Sequence, residues 1–182
     1  STLRFKVGDE SENNLLKMTM PGRFFTQKFL RKAVKEKCQY ALIEITSEGA
    51  RQFRHKFIAL DALIFTNLAK EHIESHGSFE AYRNAKVSIA KALESSSKKR
   101  RIIIANRDDE NASRFLNINV PEKIEYGLKD AEPFTLKKKG SDFTFKGEKI
   151  STYLSGGFNL YNILAATDFA FSQSIGVETI KK

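Results

Sequence analysis

Ala62-Leu63-Ile64-Phe65-Thr66-Asn67-Leu68 is an apolar run that opens into polar residues. It is followed by Glu71-His72, His76-Gly77, Phe79-Glu80 and Ala85-Lys86. The pattern reads as a strand, a loop and a helix, with an imidazole and a lysine fourteen residues apart. In an open α/β sheet, ligands gather beyond the carboxyl ends of the strands, which is where such a loop would lie. Working outward, Tyr40–Ile45 and Ile102–Ala105 are two further short apolar runs. The segments between the runs carry helical spacing: Phe25, Phe29, Leu30 and Ala33 in one, Tyr82, Ile89, Ala90 and Leu93 in the other. Alternation of this kind predicts βαβ units and a parallel sheet over residues 1–120.

After Pro121 the texture changes. Residues 123–127, 134–139, 143–146 and 149–154 are short, alternating and separated by Gly or Asp, which predicts antiparallel hairpins over 121–157. Gly156-Gly157 then breaks the chain before a C-terminal helix within 158–182, starting near Asn159. The expected fold class is α/β: an open, mainly parallel sheet with flanking helices and a small antiparallel appendage.

A chain of 182 residues is long enough to bury a core as one domain. The single Cys38 rules out an internal disulfide framework and fits a reducing, cytoplasmic compartment. No run of about 18 apolar residues is present to span a membrane, and the charged first residues do not resemble a signal peptide. The formal charge of +9 makes an anionic partner worth weighing. Much of the excess lies in Lys98–Arg101, Lys137–Lys139 and Lys181–Lys182, short clusters that suit solvated loops and strand edges. There is no zinc-finger spacing and no aromatic RNA-binding signature, so neither nucleic acid nor membrane is expected as a partner.

Several residues invite chemistry, each beside a plainer reading. Glu44, at the end of an apolar run, could ligate a hard cation such as magnesium or cap the next helix. His72 and His76 would share a helical face, but the HExxH order of a zinc site is absent. Lys86 reads as a surface lysine, or as one that burial lets react with carbon dioxide to give a carbamate. Asn159 suits a helix N-cap, and Asn162 stands one turn further in.

The words Ile43-Glu44, Gln52-Phe53-Arg54, Phe65-Thr66-Asn67-Leu68, Glu71-His72, Ala85-Lys86, Asn106-Arg107-Asp108-Asp109 and Phe158-Asn159-Leu160-Tyr161-Asn162 together resemble the central, ATP-binding domain of the Mur ligases, nearest the tripeptide synthetase type. The resemblance implies an ATP-dependent ligase that joins an amino acid to a UDP-N-acetylmuramoyl-peptide through an acyl phosphate. It implies Glu44, His72 and a carbamylated Lys86 as magnesium ligands at the catalytic centre. Asn106, Asp109, Asn159 and Asn162 would serve ATP, and Thr19, Ser47, Gln52, Arg54 and Asn67 the muramoyl substrate. Two residues depart from the family's habit: Glu71 stands where Asp is usual and Glu48 where His is common.

No GxxGK[ST] phosphate loop occurs in the 182 residues, so the first β-α unit of that fold is missing from the sequence. The expectation is therefore a ligase fragment, inactive alone and binding ATP and Mg2+ weakly or not at all. N- and C-terminal domains would be its missing partners. With a strand of the sheet absent, the fragment is expected to pair with itself, or to place residues 1–7 in the gap. A non-catalytic anion-binding or scaffolding module with the same fold, and a folylpolyglutamate synthetase-like ligase, are the alternatives.

Overall fold

The computed structural model describes residues 2–69 and 73–181, with residues 73 and 74 described by backbone only. The elements in chain order are β1 (Arg4–Val7), β2 (Glu10–Asn13), α1 (Arg23–Lys35), α2 (Ser47–Arg51), β3 (Ala62–Phe65), α3 (Ile73–His76), α4 (Phe79–Glu94), β4 (Ile102–Asn106), α5 (Ala112–Leu116) and β5 (Glu122–Tyr126). A 3-10 turn over Leu128–Ala131 leads to β6 (Phe134–Leu136), β7 (Ser141–Phe145), β8 (Glu148–Thr152), α6 (Gly157–Ser172) and α7 (Val177–Ile180). The chain divides into two compact units, Ser1–Ala59 with Lys70–Ala92, and Leu60–Ala69 with Leu93–Lys182.

In the first unit, β1 and β2 form an antiparallel ribbon with Val7 opposite Glu10. Phe5 on β1 meets Phe25 and Phe29 of α1, with ring centroids 5.0 and 5.8 Å apart. Residues 4–7 thus pair with 10–13 instead of entering a parallel sheet. The strand expected at 40–45 is not found: residues 40–46 carry no ladder assignment, and Leu42 is 91% exposed. A strand exists only where neighbouring backbone accepts its N–H and C=O groups, and apolar composition cannot supply that neighbour. Helix α1 is as expected in place, but Phe25 is 37% exposed; Ala33 and Thr26 are its buried residues. In α4, Tyr82, Ile89, Ala90 and Leu93 are all buried, as their spacing predicts.

The second unit is built around β4. Ile102, Ile103, Ile104 and Ala105 are fully buried, so both faces of this strand are dry. It pairs in parallel with β3 on one edge, Ile64 beside Ile104, and with β5 on the other, Ile104 beside Ile124. The sheet order is therefore β3-β4-β5. This corrects the reading of residues 121–157 as hairpins alone, because their first strand is parallel. The one-in, one-out burial of β5 is that of an edge strand with one face in solvent, and it imitates a hairpin in sequence. Tyr126 at its end reaches across β4 to donate its hydroxyl to the Phe65 carbonyl at 3.2 Å, and burial pushes its phenol pKa up.

The remaining strands form the expected antiparallel appendage, β6-β7-β8. Phe145 pairs with Glu148 around Lys146 and Gly147, both at positive φ, the geometry of a two-residue type I′ turn. Helix α6 packs on β4 and β5, with Leu160 and Leu164 fully buried in a core shared with Ile104, Tyr126 and Phe145. Lys146 lies 4.2 Å above the Phe171 ring and 3.8 Å from Asp168 on α6.

Burial pushes the Asp168 carboxyl up to about 6; Lys146 opposes this and Asp130 adds to it. Its folded pKa lies above its unfolded value, so the associated stability is present in acid and lost as pH rises through about 6. Asp168→Asn is expected to remove this loss, gaining up to about 3 kcal/mol over the wild type at pH 7.5 and little near pH 4. Urea denaturation at the two pH values measures it; a variant less stable than wild type at pH 7.5 would mean that the Lys146 ion pair dominates. Gly140 has φ +97°, and a Cβ there would lie 2.1 Å from the Thr152 carbonyl oxygen. Gly140→Ala is expected to cost about 3 kcal/mol in the same assay, because both strain and a backbone clash must be relieved.

Candidate functional site

The candidate residues of the first unit cluster around α2. Thr46 caps that helix, its Oγ1 accepting from the Gly49 N–H at 3.0 Å, which sets Ser47 as the first helical residue. The Ser47 side chain is buried and lies 3.1 Å from His76 Nε2. The His76 ring in turn meets Tyr82 edge-on at 5.4 Å. At the other end of α2, Gln52 Oε1 accepts from Arg54 Nε at 3.1 Å and from Nη2 at 2.6 Å, while Arg54 Nη1 donates to the Met20 carbonyl. Gln52 Nε2 donates to Glu48, which also receives Arg51 Nε and Nη2 at 3.0 and 2.9 Å. The hydrogen bond from Arg51 leads in holding the Glu48 carboxyl below its usual range. Gln52 and Arg54 are thereby held together at one end of α2, and the buried Ser47 is held at the other by His76.

Thr2 brings two more of them together. Its hydroxyl is 2.8 Å from that of Thr19, and its N–H donates to Glu44 Oε2 at 3.3 Å. Glu44 is exposed at the end of the unladdered segment, so its place at a strand end is not found. Lys86 sits half-buried on α4 with Nζ 5.5 Å from the Tyr82 ring centroid. His72, with Glu71, lies outside the described residues. Among the described residues no three His, Cys, Asp or Glu side chains gather into a metal-binding cluster. Of the three expected ligands, Glu44 offers carboxylate oxygens of the kind a hard divalent cation takes. Glu44 is exposed, which suits a carboxylate offered to an ion.

The second unit holds the other candidates at the carboxyl ends of its strands. Asn106, the last residue of β4, is buried; its Nδ2 donates to the Thr66 carbonyl at 2.9 Å and its Oδ1 accepts from the Asp108 N–H at 3.1 Å. Asp109 Oδ2 accepts from the Leu68 N–H at 2.8 Å, and Oδ1 from the Asn111 N–H at 2.8 Å. These two side chains tie the loops after β3 and β4 together. Asn67 stands exposed between the two residues so anchored. Asn159 is not the N-cap of α6: Gly156 holds that position, and Asn159 Nδ2 reaches back to the Ser155 carbonyl at 2.9 Å. The glycine pair starts the helix two residues earlier than expected because Gly156 takes φ +92°. Asn162 is exposed.

Sequence reading missed the partners of these residues. The Ser47 and His76 pair is 29 positions apart, and Asp108 with Tyr161 is 53 apart at 3.0 Å. No spacing rule links such positions; only the Asn-x-Asp-Asp and Asn-x-x-Asn words adjacent to Asp108 and Tyr161 could have drawn attention to them.

The fold agrees with that of known proteins. Residues 2–170 match the family model described as Mur ligase middle domain. The UDP-N-acetylmuramoyl-L-alanyl-D-glutamate–2,6-diaminopimelate ligase of Geobacillus kaustophilus is 29% identical over 98% of this chain and 38% of its own length. That of Chlamydia abortus is 32% identical over 81% of this chain and 32% of its length. A solved structure of a ligase of the same name superposes with a TM-score of 0.74 at 21% identity, covering 96% of this chain and 38% of that one. The UDP-N-acetylmuramoylalanyl-D-glutamyl-2,6-diaminopimelate–D-alanyl-D-alanyl ligase of Acinetobacter baumannii gives a TM-score of 0.59 at 18% identity, covering 71% and 29%. The chain thus spans about 38% of the length of relatives that it matches almost end to end. It belongs to the Mur ligase family, as a middle domain.

Proposed function

We propose that this chain is the nucleotide- and substrate-handling part of an ATP-dependent ligase that adds an amino acid to a UDP-N-acetylmuramoyl-peptide in peptidoglycan precursor synthesis. The observation that supports it most is the match of residues 2–170 to the Mur ligase middle domain. In this reading a substrate carboxylate oxygen attacks the γ-phosphorus of ATP, ADP leaves, and an acyl phosphate results. The incoming amine attacks the acyl carbon, phosphate departs, and an amide remains after loss of a proton. Thr19, Ser47, Gln52 and Arg54 bind the muramoyl substrate from the first unit. Of these, Ser47, Gln52 and Arg54 are already held by internal hydrogen bonds, which limits the ordering cost of binding.

Asn67 and Asn162 offer exposed amides on the second unit, and Asn162 is the residue suited to pair with an adenine edge. Asn106 and Asp109 spend their polar atoms inside the protein, so their part is to hold the loops on which a nucleotide rests. Glu44, His72 and Lys86, the last as a carbamate, would hold magnesium, which when bound neutralises charge on the transferring phosphoryl oxygens. No Gly-rich phosphate loop lies within the 182 residues. We infer that the chain by itself does not ligate and that its cytoplasmic parent enzyme does.

The full-length gene product is expected to release phosphate from ATP only when a UDP-N-acetylmuramoyl-dipeptide, Mg2+ and an amino acid are all present. The 182-residue chain alone is expected to release none. Glu44→Gln should lower kcat of the full-length protein by about 100-fold, since a charge-neutralising ligand is lost from the phosphoryl-transfer site. Unchanged kcat in that variant would remove Glu44 from the metal site. ADP binding by neither form would favour a scaffolding role.

A further inference from the structure

Helix α6 starts without a side-chain cap. Gly156 at φ +92° is its N-cap and Gly157 its first residue, Asn159 Nδ2 donates to the Ser155 carbonyl, and Phe158 is 70% exposed. Leu160 and Leu164 bury the inner face of its first turns, a non-directional contact that by itself sets no hydrogen-bond geometry beside it. The flank that carries Tyr161, whose ring packs against the core, is fixed by a directional contact as well. Tyr161 Oη donates to Asp108 Oδ2 at 3.0 Å. The same oxygen accepts the Leu128 N–H at 2.9 Å, and the Asp108 N–H is itself held by Asn106 Oδ1. The Asp108 carboxylate also packs on Gly127, where a Cβ would come within 2.7 Å of both its oxygens. One carboxylate therefore joins the loop leaving β4, the 3-10 turn after β5 and the second turn of α6.

We propose that Tyr161 is a positioning residue for the nucleobase: through Asp108 it fixes the rotation of the α6 turn that carries Asn162, and so aims the Asn162 amide for adenine. This rests on the reading of Asn162 as the adenine contact. A two-point hydrogen bond to a base edge is directional, and a turn free to rotate would misalign one of its two arms. Tyr161 does not touch the base in this scheme. Its hydroxyl is spent on Asp108, which also contributes, after burial, to pushing the phenol pKa up.

The test is nucleotide selectivity of the full-length gene product, read as the ratio of ADP to GDP affinity by calorimetry with Mg2+. Tyr161→Phe should lower this ratio about fivefold, the scale of one directional hydrogen bond. Its melting temperature should move by no more than about 3 °C. Asp108→Asn should lower the ratio in the same direction. In an Asn162→Ala background, Tyr161→Phe should have no further effect, because its action passes through that amide. If the wild-type protein shows no preference for ADP, or Asn162→Ala leaves that preference intact, the adenine reading fails and takes this inference with it. If Asn162→Ala abolishes the preference while Tyr161→Phe leaves it unchanged, the positioning role alone is overturned. An equal effect of Tyr161→Phe with and without Asn162 overturns it as well.

Discussion

The burial of β4 on both faces is the constraint from which the second unit follows. Ile102, Ile103, Ile104 and Ala105 leave no polar side chain to interrupt the packing, and their backbone groups have no water to turn to. Only a neighbour on each edge can satisfy them, and β3 and β5 do so in parallel register. Parallel neighbours require crossover connections, which carry the chain away from the sheet and back and leave the loops beyond the carboxyl ends grouped together. The place where ligands can be met is in this sense a product of the apolar strand behind it.

What the sheet cannot do is hold those loops still. That falls to polar side chains at its rim, and they divide into two kinds. Asn106 and Asp109 are turned inward, bonded to Thr66, Leu68, Asp108 and Asn111. Asn67 and Asn162 are exposed, each on a segment that the first kind or Asp108 has tied down. Around α2 the same division recurs, with Thr46 spent on the cap and Arg54 spanning Gln52 and the Met20 carbonyl. Residue types with equal capacity to meet a ligand thus do different work according to whether the backbone around them has already used their hydrogen bonds.

This division limits what can be read from sequence. Strands β3 and β4 and helix α4 were legible, because local composition and period decide them: three consecutive isoleucines can only be buried, and Tyr82, Ile89, Ala90 and Leu93 recur at helical spacing. Residues 40–45 and 122–126 were not. The first has the composition of a buried strand but no ladder; the second, Glu122-Lys123-Ile124-Glu125-Tyr126, has the alternation of a hairpin yet pairs in parallel. Pairing is a property of two segments, and neither segment alone records it. The family words located Asn106, Asp109 and Asn162, but not that the first two face inward.

The part played by Tyr161 is no more legible in sequence, for the same physical reason. Between Asn159 and Asn162 it reads as one more residue of an apolar helix, and its spacing from Leu164 and Ala165 suits the core. Its hydroxyl acquires meaning only because Gly127 leaves room for Asp108 to turn toward α6, and Gly127 is buried at the end of a strand whose direction the sequence misreports. A chain of dependence runs from the missing side chain at Gly127, through one carboxylate, to one flank of a helix that begins 30 residues further on. It is carried by hydrogen bonds and excluded volume together. Removing either the acceptor or the space for it would have the same consequence for the turn that bears Asn162.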